Sequence, residues 1–305
     1  MTVEVQVALA TFNGASWLDE QLHSIATQTI PAQVIVGDDQ SNDATLEILR
    51  AWGPKMPGGM KILPSVDARL GAKNNFNRVL TACTAPWVAC CDQDDVWLPD
   101  HLELLCDGGR ATLSPVLNAG DLQVCNSTMK PLHTSFRRMQ AFDATRCKDL
   151  RTLTVMNVFP GCAMAFTKPL LKLALPIPSG ATQHDWWLAL CATTLGTLNV
   201  IEQPVIKYRL HEGNAIGAKR FNVKGLLSYF ILRGHRLGSE LDRCAEMSAE
   251  LIGRHQGMMS TEQLQVLNAT VALKHVGMLS RWLIVRKSGI RRLPWQRQAK
   301  MIFYG

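Results

Sequence analysis

The sequence predicts an α/β fold, a Rossmann-like and mainly parallel mixed sheet flanked by helices and followed by a C-terminal helical extension. Three observations predict it. Short apolar runs and helical patterns alternate over the first hundred residues, two of the apolar runs end at aspartates, and the pattern becomes helical from residue 223 onwards. We therefore expect a first domain at residues 1–215 and a basic helical region at residues 216–305.

The individual elements follow from apolar spacing and turn residues. Val3–Ala10 is typical of a buried strand, Asn13-Gly14 supplies a turn, and Ser16 is a suitable N-cap for a helix to about Gln28. Further strands are predicted at Val34–Gly37, Met60–Pro64, Trp87–Cys91, Gln123–Met129, Gly161–Thr167 and Leu198–Leu210, the last a strand or hairpin interrupted by Pro204. Further helices are predicted from Asp43 and over Asn75–Ala82, Gln183–Leu195, Val223–Leu237, Ser239–Gly253 and Thr261–Val285.

Positive charge is concentrated at the C-terminal end. The net charge is +7, and residues 217–305 hold 15 Lys and Arg against 5 Asp and Glu, a local charge of +10 that leaves the first 216 residues at −3. With 47% hydrophobic and 19% charged residues, the composition is that of a folded globular protein. No recognised nucleic-acid-binding motif accompanies the basic region, so we expect no nucleic acid partner.

The nine cysteines show neither a metal-binding nor a disulfide pattern. Their number is odd, no CxxC pair occurs, and several lie inside apolar runs. We therefore expect buried, reduced thiols in a cytoplasmic protein. The first four residues lack the features of a signal peptide, and no apolar run reaches the roughly 18 residues of a transmembrane helix.

The first acidic cluster, Asp38–Asp43, follows the predicted strand Val34–Gly37. Open α/β sheets bind ligands at the carboxyl ends of their strands, where carboxylates are placed to accept hydrogen bonds from a uracil or thymine N–H and a ribose hydroxyl. The alternative is a solvated loop with Asp43 as a helix N-cap. A terpene-synthase-like DDxxxD metal site belongs on a helix, and the preceding strand argues against it.

The second acidic cluster follows the strand Trp87–Cys91 and contains the DxD pair Asp92 and Asp94. Alternate residues of an extended segment project to one side, so these two carboxylates can share a divalent cation with a diphosphate. Mn²⁺ or Mg²⁺ suits such oxygen ligands and neutralises charge on a leaving nucleoside diphosphate. Surface Asp pairs are common, but a second acidic cluster at an equivalent strand end strengthens the metal hypothesis.

Two later segments carry side chains suited to the same chemistry. Asp185 opens an apolar helix and is either a helix cap or a general base for an acceptor hydroxyl. The adjacent Trp186 and Trp187 are either a floor on which a sugar stacks or core residues. His211 is either a metal ligand or a surface residue, and Arg209 is suited to binding phosphate.

Together these segments resemble the inverting family 2 glycosyltransferases of the GT-A fold, in particular their bacterial rhamnosyltransferase-like branch. The resemblance covers roughly residues 4–215 and rests on the order and spacing of six segments. These are Ala10–Gly14, Asp38–Asp43, Gly71–Phe76, Cys91–Trp97, His184–Trp187 and Tyr208–His211. It implies transfer of one sugar from a UDP or dTDP donor to a glycan or lipid-linked acceptor, as in polysaccharide or lipopolysaccharide biosynthesis, with Mn²⁺ or Mg²⁺ as cofactor.

The resemblance also implies a role for each matching residue. Asp185 takes the position of the catalytic base. The residues implied to hold the donor are Thr11, Asn13, Asp39, Asn75 and Asp92. The implied metal ligands are Asp94, as the principal one, and His211. The acceptor side is implied at Gly161 and Cys162, to which the stacking interpretation adds Trp186 and Trp187.

The sequence also departs from the family pattern. His184 stands where many members carry an acidic residue, so one carboxylate is left to act as base. The QxxRW signature of processive polysaccharide synthases is missing, as are transmembrane helices, which favours transfer of a single sugar. Rhamnose is suggested by the resemblance alone, and the base, acceptor, linkage, metal and oligomeric state stay open.

Two other classes of function compete with this interpretation. A catalytically inactive nucleotide-sugar-binding paralogue would keep the fold, although the DxD motif and Asp185 disfavour it. A metal-dependent nucleotidyltransferase would want a Gly-rich phosphate loop with a basic residue, and residues 8–14 offer only Asn13-Gly14.

The basic C-terminal segment, residues 281–305, allows two interpretations. It holds 7 Lys and Arg, four aromatic residues and no acidic residue. Such a segment suits peripheral contact with the anionic inner face of the plasma membrane, where a lipid-linked acceptor is carried. The alternative is a solvated basic terminus.

Overall fold

A mixed β-sheet lies at the centre of the molecule in the computed structural model, which describes residues 4–211, 234–274 and 276–304. The strands are β1 (Val5–Thr11), β2 (Gln33–Asp38), β3 (Met60–Ile62), β4 (Trp87–Cys91), β5 (Val96–Trp97), β6 (Val116–Cys125), β7 (Pro131–His133), β8 (Met164–Thr167) and β9 (Thr197–Arg209). They lie in the order β3-β2-β1-β4-β8-β6-β9-β5, with β7 paired to β6.

Helices cover this sheet and continue beyond it. Those of the first 211 residues are α1 (Leu18–Ala26), α2 (Thr45–Trp52), α3 (Ala72–Ala82), α4 (His101–Leu105), α5 (Phe136–Met139), α6 (Ala144–Cys147), α7 (Leu150–Leu153), α8 (Lys168–Ala174) and α9 (His184–Leu195). Those of the C-terminal part are α10 (Gly234–His255), α11 (Thr261–Val271), α12 (Met278–Ser288) and α13 (Trp295–Tyr304).

The parallel half of the sheet gathers the acidic clusters at one edge. Strand β1 runs parallel to β2 and to β4, with Thr11 opposite Asp38 and Leu9 opposite Cys91. Both neighbours are almost entirely buried, as expected for parallel strands covered on two faces. Because their carboxyl ends point the same way, the loops after β2 and β4 lie side by side.

The other half of the sheet is mixed. Strand β8 is antiparallel to β4 and β6, and β6 is parallel to β9. The predicted interruption at Pro204 is a register shift rather than a break, since β9 continues from Thr197 to Arg209 with Pro204 opposite Asp121. Proline donates no hydrogen bond to a ladder, which is why it occupies an irregular position. The prediction of a mainly parallel mixed sheet flanked by helices is confirmed.

The C-terminal helices share the hydrophobic core of the rest of the molecule. Leu241, Cys244 and Leu251 of α10 are buried in the same apolar cluster as Trp187 and Leu190 of α9. Each of the nine cysteines is a buried free thiol, as predicted. The predicted domain boundary at residues 215 and 216 lies outside the described residues.

Several predicted element bounds are wrong. The N-cap of α1 is Trp17 rather than the predicted Ser16, and β6 begins at Val116 rather than at Gln123. The helix predicted over Thr261–Val285 is two helices, because Gly277, in an extended conformation, is the N-cap of α12. Helix α13 was not predicted, although Pro294 directly before it is a start signal.

Two predicted C-terminal helices fall at or near the undescribed part of the chain. Val223–Leu237 lies mostly outside the described residues, and α10 begins at Gly234, earlier than the predicted Ser239. Among the described helices, none has both the length and the apolar character needed to cross a membrane.

Candidate active site

The loop after β2 uses its two aspartates to fix the backbone. The Asp38 carboxylate accepts hydrogen bonds from Thr11 Oγ1 at 2.9 Å and from the hydroxyl and N–H of Ser41. The Asp39 carboxylate accepts the N–H groups of Leu70 and Gly71 at 2.7 and 2.8 Å and is 2% exposed. Asp39 and Thr11 are therefore buried at the predicted nucleotide edge, and a carboxylate with about four acceptor positions keeps capacity for a further donor.

Asn13 lies on an exposed turn beside this loop. Its φ of 48° is in the left-handed region, which asparagine tolerates better than most residues. Its Oδ1 accepts the N–H of Asn42 at 2.9 Å, and its own N–H donates to Ser41. Gln93, which sequence reasoning did not single out, joins this turn to the DxD segment by bonding both the N–H and the carbonyl of Phe12.

Asn75 lies in the first turn of α3, under the same edge. Its Nδ2 donates to the carbonyl of Gly37 at 2.6 Å, which fixes the amide orientation. Its Oδ1 is buried and has no hydrogen-bond partner among the described residues. A side chain at Gly37 would collide with this oxygen, since an added Cβ would lie 2.6 Å from it.

The DxD segment is held by the end of β9. Asp94 Oδ2 lies 2.9 Å from Nε2 of His211, so the two residues predicted as metal ligands are in contact. Asp95 Oδ1 accepts the N–H of Arg209 at 3.0 Å, and the Arg209 guanidinium donates to the carbonyl of Asp94 and pairs with Glu20. Arg209 is thus a buried structural cation. Its guanidinium is not exposed, which argues against the prediction that it binds phosphate.

Carboxylates crowd together behind this segment. Burial, together with the charges of Asp94 and Asp185, raises the pKa of Asp92 to about 7. Burial and the same neighbouring Asp94 raise the pKa of Asp95. Ligand atoms of Asp92, Asp95 and Cys162 lie within 4.8 Å of one another, so Asp95 is a candidate ligand that sequence reasoning missed, although it belongs to the same acidic run.

This donor set suits a hard divalent cation. Its ligands are mainly carboxylate oxygens, with an imidazole at His211, and Mn²⁺ and Mg²⁺ favour oxygen ligands. Burial and, to a smaller extent, the charges of Asp94 and Asp185 raise the pKa of Asp92, and a bound cation would favour its ionised form. The residues that could hold the metal are the contacting pair Asp94 and His211, and the neighbouring group of Asp92, Asp95 and Cys162.

Asp185 lies in the first turn of α9 and is 7% exposed. Its carboxylate accepts three hydrogen bonds, from Asn157 Nδ2 at 3.0 Å, from the N–H of Trp186 at 2.7 Å and from the N–H of Gly161 at 3.1 Å. Hydrogen bonds to the ionised form offset the cost of burying a carboxylate. Sequence reasoning missed Asn157, because no motif marks it.

The residues predicted on the acceptor side are buried around this carboxylate. An added Cβ on Gly161 would lie 2.7 Å from Nε2 of His184, so only glycine fits there. His184 stacks on Phe76 with ring centroids 3.8 Å apart, and burial lowers the pKa of its imidazole. Cys162 is 1% exposed and faces the aspartates, where burial raises the pKa of its thiol.

The stacking interpretation of the two tryptophans is corrected by their burial. Trp186 is 3% exposed and Trp187 is fully buried. Their indole N–H groups donate to the carbonyls of Leu153 and Ala174 inside the core. Neither ring offers a face to a sugar, and the core interpretation explains both.

The site therefore combines two halves of the sheet. The parallel half supplies the loops that follow β1, β2 and β4, and α9, which packs against β6 and β9 of the mixed half, supplies Asp185. The charge of Asp185 contributes to the raised pKa of Asp92, so the two carboxylates lie near enough to interact electrostatically. A carboxylate acceptor of protons thus lies beside a group of candidate metal ligands.

Comparison with known proteins identifies relatives of this arrangement. Residues 6–173, more than half of the chain, match the model of the family "Glycosyl transferase family 2". The chain is 29% identical over 222 residues to dTDP-rhamnosyl transferase RfbG of Shigella flexneri, which spans 69% of this chain and 74% of that protein. It is also 29% identical over 100 residues to the putative teichuronic acid biosynthesis glycosyltransferase TuaG of Bacillus subtilis, spanning 32% of this chain and 39% of that protein.

Solved structures share the fold. S. aureus TarS 1-349 in complex with UDP-GlcNAc superposes with a TM-score of 0.55 at 16% identity, over 99% of this chain and 88% of that one. The mannosyltransferase PcManGT of Pyrobaculum calidifontis, in complex with GDP-Man and Mn²⁺, gives a TM-score of 0.52 at 19% identity over 99% and 86%. The fold is GT-A, and the chain belongs to glycosyl transferase family 2.

Proposed function

We propose that this glycosyltransferase moves a single sugar, with rhamnose as the first candidate, from a dTDP or UDP donor to a hydroxyl of a glycan or lipid-linked acceptor, with inversion at the anomeric carbon. The observation that carries the proposal is the Asp185 carboxylate, held by three N–H donors near enough to Asp92 to interact with it electrostatically. The similarity to a dTDP-rhamnosyl transferase supports the choice of donor.

In this proposal, the parallel half of the sheet binds the donor. Asp39 and Thr11 are fixed at the ends of β2 and β1, and Asn13 lies on the adjoining exposed turn. These groups are suited to the base and the ribose, and Asn75 with its buried Oδ1 lies below them. Asp92 would meet the ribose or the donor sugar.

Asp94 and His211, with Asp92 beside them, would hold Mn²⁺ or Mg²⁺, which when bound neutralises negative charge on the leaving nucleoside diphosphate. Asp185 takes the proton from the acceptor hydroxyl as that oxygen attacks the anomeric carbon. The bond from this carbon to the diphosphate oxygen breaks on the opposite face, and the nucleoside diphosphate leaves with the electron pair. One displacement of this kind inverts the configuration.

A donor panel tests the proposed substrate class. The protein is mixed with dTDP-rhamnose, UDP-glucose, UDP-GlcNAc or GDP-mannose, each with and without Mn²⁺, and thermal unfolding is followed. A donor at 100 times its dissociation constant stabilises the folded state by about 2.7 kcal/mol. We expect the largest shift with dTDP-rhamnose and Mn²⁺. A larger shift with a UDP sugar would identify that sugar as the donor instead. Release of nucleoside diphosphate is measured in the same mixtures, and stabilisation without such turnover would favour an inactive nucleotide-sugar-binding protein.

A further inference from the structure

Helix α12 exposes more large apolar side chains than any other element of the described chain. Eight large hydrophobic side chains are exposed in the described residues, and four of them belong to this one helix. They are Met278 at 47%, Leu279 at 74%, Trp282 at 42% and Leu283 at 48% exposure. Residues three and four apart lie on one helix face, so Leu279, Trp282 and Leu283 form a single apolar stripe.

The opposite face of α12 anchors the helix to the protein. Arg281 and Val285 are both 6% exposed. The Arg281 guanidinium donates to the carbonyl of Val276 at 2.8 Å and to that of Ile302, in α13, at 3.2 Å. The apolar stripe is therefore presented to the outside by a helix that is already fixed on its other side.

Positively charged side chains lie in the last turn of α12, next to the apolar stripe. Arg286, one turn beyond Trp282 and Leu283, lies over the Trp282 ring with its guanidinium carbon 5.3 Å from the ring centroid. Arg286 and Lys287 are both exposed. Residues 276–304 hold seven Lys and Arg and no acidic residue. The surface around the stripe thus combines a tryptophan, aliphatic side chains and cations.

We propose that this surface, α12 with its Leu279–Trp282–Leu283 stripe and the cations Arg286 and Lys287, docks on an anionic lipid bilayer. Helices that lie in a bilayer interface insert leucine and tryptophan side chains below the headgroups and place lysine and arginine among anionic headgroups. At 11 residues and 1.5 Å per residue, α12 is about 16 Å long, so it lies along the surface instead of crossing it.

The charge argues for lipid over a second copy of the chain. A symmetric dimer built on this stripe would bring the same surface of each copy together. Arg286 and Lys287 would then face the same cations of the other copy, and like charges repel at such an interface. Glu262 lines a groove with Lys287 but is already paired with Arg151 at 2.7 Å. Anionic headgroups supply the complementary charge.

Vesicle sedimentation with the full chain tests the proposal. Wild type is mixed with phosphatidylcholine vesicles and with vesicles containing 30% phosphatidylserine, roughly the anionic character of a cytoplasmic leaflet. We expect binding to the anionic vesicles only, weakened by salt. The variant Leu279→Gln/Leu283→Gln should bind at least tenfold more weakly, and Arg286→Gln/Lys287→Gln should lose about fivefold per cation and most of the salt dependence.

A matched control removes two exposed leucines elsewhere. Leu113 and Leu132 are 96% and 50% exposed, and Leu113→Gln/Leu132→Gln should bind as wild type does. Circular dichroism shows that each variant is folded, and sedimentation velocity reports its oligomeric state. Equal binding by wild type and the stripe variant, or binding by neither, would overturn the proposal. A wild-type dimer that the stripe variant dissociates, without vesicle binding, would assign the surface to a second copy.

Discussion

Asn157 is the side chain that orients the proposed base. It donates to Asp185 Oδ1 at 3.0 Å and to Gln183 Oε1 at 3.1 Å, and its Oδ1 accepts the N–H of Phe159, so its amide is fixed from both ends. The other two donors to Asp185 are backbone groups that substitution cannot remove. Among the described residues, Asn157 is therefore the one side chain whose replacement removes a hydrogen bond to this carboxylate.

Replacing Asn157 with leucine should lower turnover and leave donor affinity unchanged. A hydrogen bond to a charged group contributes about 1.5–3 kcal/mol, which corresponds to a loss of roughly ten- to a hundredfold in rate. Steady-state kinetics and donor titration measure both effects. Unchanged kinetics would show that the two backbone donors suffice.

The sequence predicted the residues of the site better than their contacts. Asp39, Asp92 and Asp94 were found because each follows a buried strand, and strand order then brings them together. Asn157 was missed because its partner lies 28 positions away in a different segment. The roles of Trp186 and Trp187 could not be decided from the sequence because α9 is buried on all sides. In such a helix the apolar pattern does not separate core positions from positions that face a ligand.

At the scale of elements, α4 shows how burial controls protonation. His101, its first residue, is fully buried, stacks on Trp97 with centroids 3.8 Å apart and bonds the carbonyl of Val205 through Nδ1. Burial lowers the pKa of this imidazole to about 3, far below its ordinary value of about 6.5. Helix α4 is thereby held against β9 by a neutral ring.

This burial predicts a loss of stability in acid. Between about pH 3 and 6.5 the unfolded chain binds a proton that the folded chain does not, so the free energy of unfolding falls by about 1.4 kcal/mol for each pH unit of acidification. His101→Phe keeps a ring on Trp97, and Leu98 still donates to Val205. Urea unfolding from pH 6 to about pH 4 should show a shallower slope for this variant.

The control for this measurement is His23→Gln, which removes an exposed imidazole. Its stability should fall with acidification as steeply as that of wild type. An equal slope in wild type and His101→Phe would contradict the account of α4.

Element bounds were predictable where the sequence carries a local signal. The strands β2, β3 and β4 lie close to their predicted places because each is a short apolar run. The break between α11 and α12 was missed because apolar spacing continues across Gly277, and the start of β6 was missed because its first residues lie in a run without alternation. Local patterns do not reveal where tertiary contacts begin and end an element.

At the scale of the molecule, the site is assembled from two halves of one sheet. The proposed donor edge comes from β1, β2 and β4, and the proposed base comes from α9, which packs against the helices of the C-terminal region. The basic surface of α12 belongs to that same C-terminal region. The acidic site and the basic surface of α12 are thus carried on one continuous core, in agreement with the opposite net charges of the two parts of the sequence.

The measurement that tests the central claim most directly compares donor affinity and turnover in wild type, Asp185→Asn and Asp94→Ala. A positioned base contributes about 10²- to 10⁴-fold. Asp185→Asn should therefore lose at least about a hundredfold in turnover and keep its donor affinity, whereas Asp94→Ala should lose both. Full activity in Asp185→Asn, or unchanged donor affinity in Asp94→Ala with Mn²⁺ present, would contradict the assignment of base and metal ligand.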